Sequence, residues 1–302
     1  MTAVGAEADG PPRAVAFLAV VEPGPYASIQ DLGRPGLGAL GVGASGACDR
    51  ASLRLANRLL GNPEGAAAVE ATAGGLVLQA YGDVLVAVTG APAPITVDDR
   101  PAAASAPVAM RAGAVLRLGA PRRGLRTYVA VRGGVAVDAT LGSRATDVLA
   151  GLGPAPLAAG QRLPVGRAAR GWEPIDIAPV EIGDGDPLWL RVRLGPRDDR
   201  FTAAALAALR SGTYEVTSAS NRVGLRLAGP RLQVDDTEEL PSEGMVPGAL
   251  QVPPSALPTL LLADHPVTGG YPVIAVVVDA DLDAAGQAPP GQRLRFRVVG
   301  PS

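Results

Sequence analysis

The sequence predicts a mainly β fold with a few short helices, and three observations carry that reading. Apolar and polar residues alternate over strand-length runs. Gly, Pro and Asp punctuate those runs, with 39 Gly and 29 Pro among 302 residues. The connections are short enough to favour antiparallel neighbours, because a parallel crossover needs a dozen or more residues. With 47% apolar and 19% charged residues the chain can bury a core, and its length accommodates two domains of about 100–200 residues each.

In chain order, residues 1–14 read as a disordered leader, its first twelve positions rich in Ala, Gly, Glu and Pro. The apolar run Ala14 to Val21 follows as a buried first strand, too short for a spanning helix and lacking a basic flank. Leu76, Leu78 and Ala80 alternate, Tyr81-Gly82-Asp83 turns, and Val84, Val86 and Val88 alternate again, the pattern of a hairpin. Ile95 to Val97 runs into a turn at Asp98-Asp99-Arg100-Pro101, and 114–118 and 127–131 continue the series.

One helix stands out from this background. Asp49 caps it, Leu53, Ala56, Leu59 and Leu60 share a face, Gly61 closes it, and Arg50, Arg54, Asn57 and Arg58 occupy the opposite face. A second helix is expected over Thr202–Arg210, capped by Asp199 or Thr202. Between 154 and 187 the periodicity dissolves around one large anchor, Trp172. We therefore place a first subdomain at 15–165, a linker at 166–187 and a second subdomain at 188–302, with a β run from Leu188 to Val299. The segment Asn221 to Leu227 loosely echoes the polar surroundings of Asp31-Leu32-Gly33-Arg34, and no strict repeat is visible.

The most restrictive count is zero: there is no lysine, so all 27 basic residues are arginine. This excludes a phosphate-loop lysine, a Schiff-base lysine and a biotinyl-lysine within the chain. Aromatic residues at 3% and a net charge of −2 argue against nucleic-acid binding. A single cysteine, Cys48, and a single histidine, His265, permit neither an internal disulfide nor a zinc-type cluster. A cytoplasmic location is the default expectation, and no metal site is expected.

Four stretches set polar residues beside glycines. Ser28 to Gly36, continuing through Ser45, Gly46 and Asp49, supplies Gln30, Asp31 and Arg34 on a loop entering a helix N-terminus, suited to an anion or to an ordinary strand–loop–helix connection. Arg132-Gly133-Gly134 precedes Leu141-Gly142-Ser143-Arg144, whose Ser143, Thr146 and Asp147 are also capping residue types. Ser242 to Pro253 carries Glu243 and Gln251 among preset turns. Ala263 to Pro272 places Asp264, Thr268, Gly269 and Tyr271 at the end of an apolar strand. His265 is a turn or surface residue, or a base; no second histidine exists to support a Ser-His-Asp triad. Cys48 is a thiolate favoured at a helix start or a small buried apolar residue.

Taken in order, these stretches resemble the biotin-dependent carboxyltransferase-like family. The motifs that carry the resemblance are Gln30-Asp31-Leu32-Gly33-Arg34-Pro35-Gly36, Ser45-Gly46 with Asp49, Ala56-Asn57-Arg58-Leu59-Leu60-Gly61-Asn62, Leu141-Gly142-Ser143-Arg144, Ser242-Glu243-Gly244 and Thr268-Gly269-Gly270-Tyr271-Pro272. Members include the C subunit of 5-oxoprolinase, the KipI-antagonist proteins and a domain of urea carboxylase. The resemblance spans roughly residues 17–298 and departs from the common pattern at His265, where Arg is usual, and at Cys48 and Val223, where Met is frequent.

The resemblance implies two cyclophilin-like β-barrel subdomains. It also implies an ATP-dependent opening of 5-oxo-L-proline to L-glutamate together with A and KipI-like B subunits. ATP would then be bound here or with a partner, and no biotin would be attached to this chain. The alternatives are a KipI-antagonist regulatory protein without turnover and the carboxyltransferase subunit of a biotin-dependent enzyme. On the lactam-opening reading, Arg34, Arg144 and Arg222 are expected to contact anions, with Asp31, Glu243 and Asp264 as candidate bases. Gln30, Gln251 and Thr268 would orient the substrate, with Ser45, Gly269 and Tyr271 lining its site.

Overall fold

The computed structural model describes residues 16–172, 177–178, 185–235 and 240–300. The leader at 1–14 and part of the 166–187 linker lie outside the described residues. The first half contributes β1 (Phe17–Pro23), β2 (Tyr26–Gln30), α1 (Arg50–Leu59), β3 (Ala68–Thr72), β4 (Leu76–Tyr81), β5 (Val84–Gly90), β6 (Ile95–Val97), β7 (Arg100–Pro101), β8 (Pro107–Met110), β9 (Val115–Leu118), β10 (Arg126–Val131) and β11 (Arg162–Pro164). The second half contributes β12 (Leu188–Leu194), α2 (Ala203–Ser211), β13 (Tyr214–Val216), β14 (Gly224–Ala228), β15 (Glu243–Gly244), β16 (Ala249–Gln251), β17 (Thr259–Leu261), β18 (Thr268–Gly269), β19 (Val273–Val277), α3 (Asp279–Gly286) and β20 (Arg293–Val298). The protein is thus mainly β, as its alternation predicts, and no described helix is long and apolar enough to cross a membrane.

In the first half, a six-stranded sheet ordered β11-β1-β4-β9-β6-β7 faces a five-stranded sheet ordered β2-β3-β10-β5-β8. Alternate residues of both, among them Leu18, Val20, Ile29, Val69, Leu76, Leu78, Val86, Val88, Val129 and Val131, bury into one core between them. The stretch expected to be a hairpin is therefore a crossing. β4 pairs with β1 and β9 in one sheet, whereas β5 pairs with β10 and β8 in the other. Gly82, at φ 107, turns the chain between sheets. A two-residue period says which face is apolar, and that face is the same whether the next strand lies beside it or opposite it. The expected turn after β6 does form a hairpin to β7, with Asp98 and Asp99 both at positive φ as the twist of a two-residue turn requires.

Helix α1 lies on the outer face of the five-stranded sheet. Asp49 accepts a hydrogen bond from the Ser52 amide at 2.9 Å, and Leu53, Ala56, Leu59 and Leu60 pack on Ala68, Ala87, Tyr128 and Ala130. Because core lies on one side of β10 and α1 on the other, every residue of that strand is buried. Asn57, expected on the solvent face, is instead buried and donates to the Glu64 and Ala66 carbonyls, closing the turn after the helix. Trp172 is likewise no core anchor. The residue is 67% exposed, and its ring lies beneath the Arg132 guanidinium at 3.7 Å.

The second half is a closed barrel ordered β12-β19-β16-β17-β14-β13-β20, sealed by a parallel β12–β20 pair. Parallel pairing is available there because the two strands are separated by nearly the whole half. Thr202 caps α2, accepting from the Ala205 amide at 3.0 Å. The sequence pattern did not reveal α3; among its residues only Ala285 and Gly286 are buried, so it carries no apolar stripe. Its C-terminal end abuts the first half: a Cβ on Gly286 would sit 2.3 Å from the Cys48 carbonyl oxygen, so only glycine fits.

Candidate functional site at the junction of the halves

The expected site residues fall into two groups. The first surrounds the loop after β2. Asp31 accepts from the Gly33 amide at 2.7 Å, the Ser143 hydroxyl at 2.6 Å and the Arg144 amide at 2.6 Å, tying this loop to the 143–144 turn. Gln30 donates to Ser28 Oγ at 2.9 Å and to the Thr146 carbonyl at 3.0 Å. Arg34 is fully enclosed; it donates to the Ala145 and Thr140 carbonyls, and its Nη1 lies 3.9 Å from Asp147 Oδ2. Arg144 donates its Nε–H to the Val137 carbonyl at 2.7 Å. Three buried polar atoms on these loops, Gln30 Oε1, Arg34 Nη1 and Thr146 Oγ1, have no hydrogen-bond partner. They leave donor and acceptor capacity for a small polar ligand group.

The second half reaches this group through Asp264. The Ser45 hydroxyl donates to Asp264 Oδ1 at 2.7 Å, and Arg222 grips the same carboxylate through Nε at 2.9 Å and Nη2 at 3.0 Å. Arg222 also donates to the Gly46 carbonyl at 2.6 Å and, through Nη1, to Glu70 Oε1. Its guanidinium is thus engaged by two carboxylates and a carbonyl, so an incoming anion must displace one of them.

Glu70, on β3 and 0% exposed, is the central residue that motif reading missed. It accepts from the Tyr128 hydroxyl at 2.7 Å and the Cys48 amide at 3.0 Å, and its carboxylate lies 3.5 Å from Arg126 Nε. Arg126 in turn donates to the Gly286 carbonyl at the end of α3, where a cation is favoured by the helix dipole. Gln287 extends the contact, donating to Asp49 Oδ2 at 2.7 Å and the Arg126 carbonyl at 2.9 Å. Two carboxylates and two guanidiniums therefore balance one another inside the junction. One signal for Glu70 was present: an acid in the apolar run Ala66 to Ala71 has no reason to be there unless paired.

The electrostatics follow from burial and pairing. Burial would push the Glu70 carboxyl up, but Arg222 and Arg126, with the Tyr128 and Cys48 donors, hold it below the ordinary value. Burial and the neighbouring Glu70 raise the Tyr128 hydroxyl well above its usual range. Burial also raises the Cys48 thiol, outweighing Arg126 and Arg222. Of the two readings for Cys48, the enclosed, protonated one describes this environment. Asp49 is raised by burial in spite of Gln287 and Ser52.

The second group is a surface ribbon. Glu243 pairs with Gly269 and Gly244 with Thr268 across β15 and β18. Gln251 reaches Met245 Sδ at 3.9 Å and the Tyr271 carbonyl at 3.5 Å. A Cβ on Gly269 would lie 2.5 Å from Gln251 Nε2. Glu243 is ion-paired with Arg197. The segment 264–268 joins the groups: a Cβ on Gly43 would meet the His265 carbonyl at 3.5 Å and Asp147 Oδ2 at 3.8 Å, and the Met245 amide donates to the Val267 carbonyl at 2.9 Å. His265 is buried, with Nδ1 2.8 Å from the Pro266 carbonyl oxygen.

Comparison with known proteins bears on the whole chain. Residues 40–298 match the family described as carboxyltransferase domain, subdomain A and B. The chain is 36% identical over 286 residues to the C subunit of 5-oxoprolinase from Escherichia coli (strain K12), covering 93% of this chain and 90% of that protein. It is 31% identical over 308 residues to urea amidolyase of Lachancea kluyveri, covering 92% of this chain and 16% of that protein. Among solved structures, TTHA0988 superposes with a TM-score of 0.85 at 35% identity, over 97% of this chain and 60% of that chain. The K. lactis urea amidolyase superposes with a TM-score of 0.87 at 28% identity, over 94% of this chain and 19% of that one. With a β fold, junction loops and family match in agreement over nearly its full length, this chain belongs to the carboxyltransferase domain family, subdomains A and B.

Proposed function

We propose that this protein is the C subunit of an ATP-dependent 5-oxoprolinase, opening 5-oxo-L-proline to L-glutamate in a hetero-oligomer with A and KipI-like B subunits. The supporting observation is the end-to-end likeness to the C subunit of 5-oxoprolinase, 93% of this chain against 90% of that protein. The urea amidolyase likeness touches only 16% of its relative. In support of the reading, Arg34 Nη1 is an enclosed donor without a hydrogen-bond partner, and Ser45 sets a hydroxyl against the Asp264 carboxylate.

With no lysine, the chain offers no phosphate-loop lysine for ATP. On this reading ATP is bound by or together with a partner subunit, and the complex is cytoplasmic. A second reading, the carboxyltransferase part of a urea carboxylase-type enzyme, is favoured by the K. lactis superposition and would need carboxybiotin delivered by another chain. The test is to assemble the chain with its A and B subunits and measure glutamate released from 5-oxoproline with ATP. An intact complex that releases none overturns the proposal. Turnover that survives Arg34→Ala, Glu243→Ala and Asp264→Ala in an intact complex places the site elsewhere.

A further inference from the structure

Ser45 is at φ 52, a left-handed conformation that serine seldom adopts and glycine adopts freely. What the serine adds at that position is a hydroxyl, 2.7 Å from Asp264 Oδ1. Its residue is partly exposed, whereas Asp264, Arg222 and Glu70 behind it are 2%, 3% and 0% exposed. The contacts form one line from the surface inward: Ser45 to Asp264, Asp264 to Arg222, Arg222 to Glu70.

We propose that Ser45 relays a proton from the attacking water to Asp264, and that Glu70 is the positioning residue behind this pair; the proposal rests on the oxoprolinase reading. In the step, a water O–H bond breaks as the water oxygen bonds to the lactam carbonyl carbon. The water proton passes to Ser45 Oγ, and the Ser45 hydroxyl proton passes to Asp264 Oδ1, while the carbonyl π pair moves onto the carbonyl oxygen. As that pair returns the C–N bond breaks, and the proton stored on Asp264 goes back through Ser45 to the ring nitrogen, which leaves as the amine of the opened product. The second carboxylate then has a chemical use. If Asp264 were the sole acidic partner of Arg222, protonating it would strand a buried guanidinium without a counter-ion, a costly state. Glu70 keeps Arg222 paired throughout, and Arg126 retains the negative end of α3 through the Gly286 carbonyl.

The test uses the assembled complex. Ser45→Gly removes the CH2OH side chain, and with it the hydroxyl, while relieving the backbone, so its unfolding midpoint should stay close to that of the wild type. Its kcat should fall about 100-fold or more, with KM held within about twofold, the signature of an interaction made in the transition state. Glu70→Gln should lower kcat per assembled complex about tenfold with KM unchanged; a merely structural Glu70 would lower only the amount of complex. Ser45→Gly with wild-type kcat overturns the relay, and Glu70→Gln with wild-type kcat per complex overturns the positioning role. A wild-type complex that releases no glutamate sinks the oxoprolinase reading and the relay with it, so the two failures are distinguishable.

Discussion

Two arginine–carboxylate constellations flank the 264–268 segment, and they differ in almost everything except chemistry. Arg222 lies between Glu70 and Asp264 with all three side chains 3% exposed or less. Arg197 meets Glu243 with side chains 37% and 25% exposed. Water screens the second pair, and holding two long side chains together costs entropy that the attraction barely offsets. At the junction the charges have already lost their water, so removing any member leaves another unpaired in a medium that cannot solvate it. One arrangement holds the halves together; the other decorates a ribbon.

The largest break in that comparison is Arg222→Met. It should cost about 3–5 kcal/mol in urea unfolding, because it leaves Asp264 buried without a cation and Glu70 with Arg126 alone. Glu70→Gln should cost less, about 1.5–3 kcal/mol: the amide still accepts from Tyr128, Arg222 keeps Asp264, and Arg126, which loses its carboxylate, keeps the Gly286 carbonyl. Acid should act in the same direction as that substitution. The folded Glu70 carboxyl lies below its ordinary value, so its stabilisation is complete above the unfolded value of about 4.3 and is lost as pH falls through the folded one. Unfolding midpoints followed from neutral pH downward should drop more steeply in the wild type than in Glu70→Gln; parallel curves would contradict the pairing.

Smaller effects sharpen the contrast. Cys48, enclosed and raised by burial, should react with a thiol reagent only as fast as the protein opens, and rapidly in urea. Glu243→Gln should leave the unfolding midpoint unchanged, and added salt should not separate it from the wild type. A destabilisation comparable with that of Arg222→Met would show that the ribbon is also a structural clamp.

Element types were legible because they are local. The apolar run of β1, the alternation of β4 and β5, the Asp49 cap and apolar face of α1, and the Thr202 cap of α2 all depend on periods and capping chemistry within a few residues, whereas β2, β3 and β8 were not read as strands. α3 escaped notice for the same reason, having no stripe to betray it. The polar loops that meet at the junction were legible as glycine-flanked stretches. Glu70 was not, because its partner is 152 residues away.

The sequence by itself determined a lysine-free, mainly β chain with polar, glycine-flanked loops. Tertiary structure decided the rest: that β4 and β5 face each other across a core instead of pairing, and that Arg222 of one half sits between Glu70 of the other and Asp264 of its own. The reason is physical. Apolar patterning fixes which face of a strand is buried, but a ladder partner and the counter-ion of a buried charge are chosen by elements far apart in sequence, and only packing brings them together.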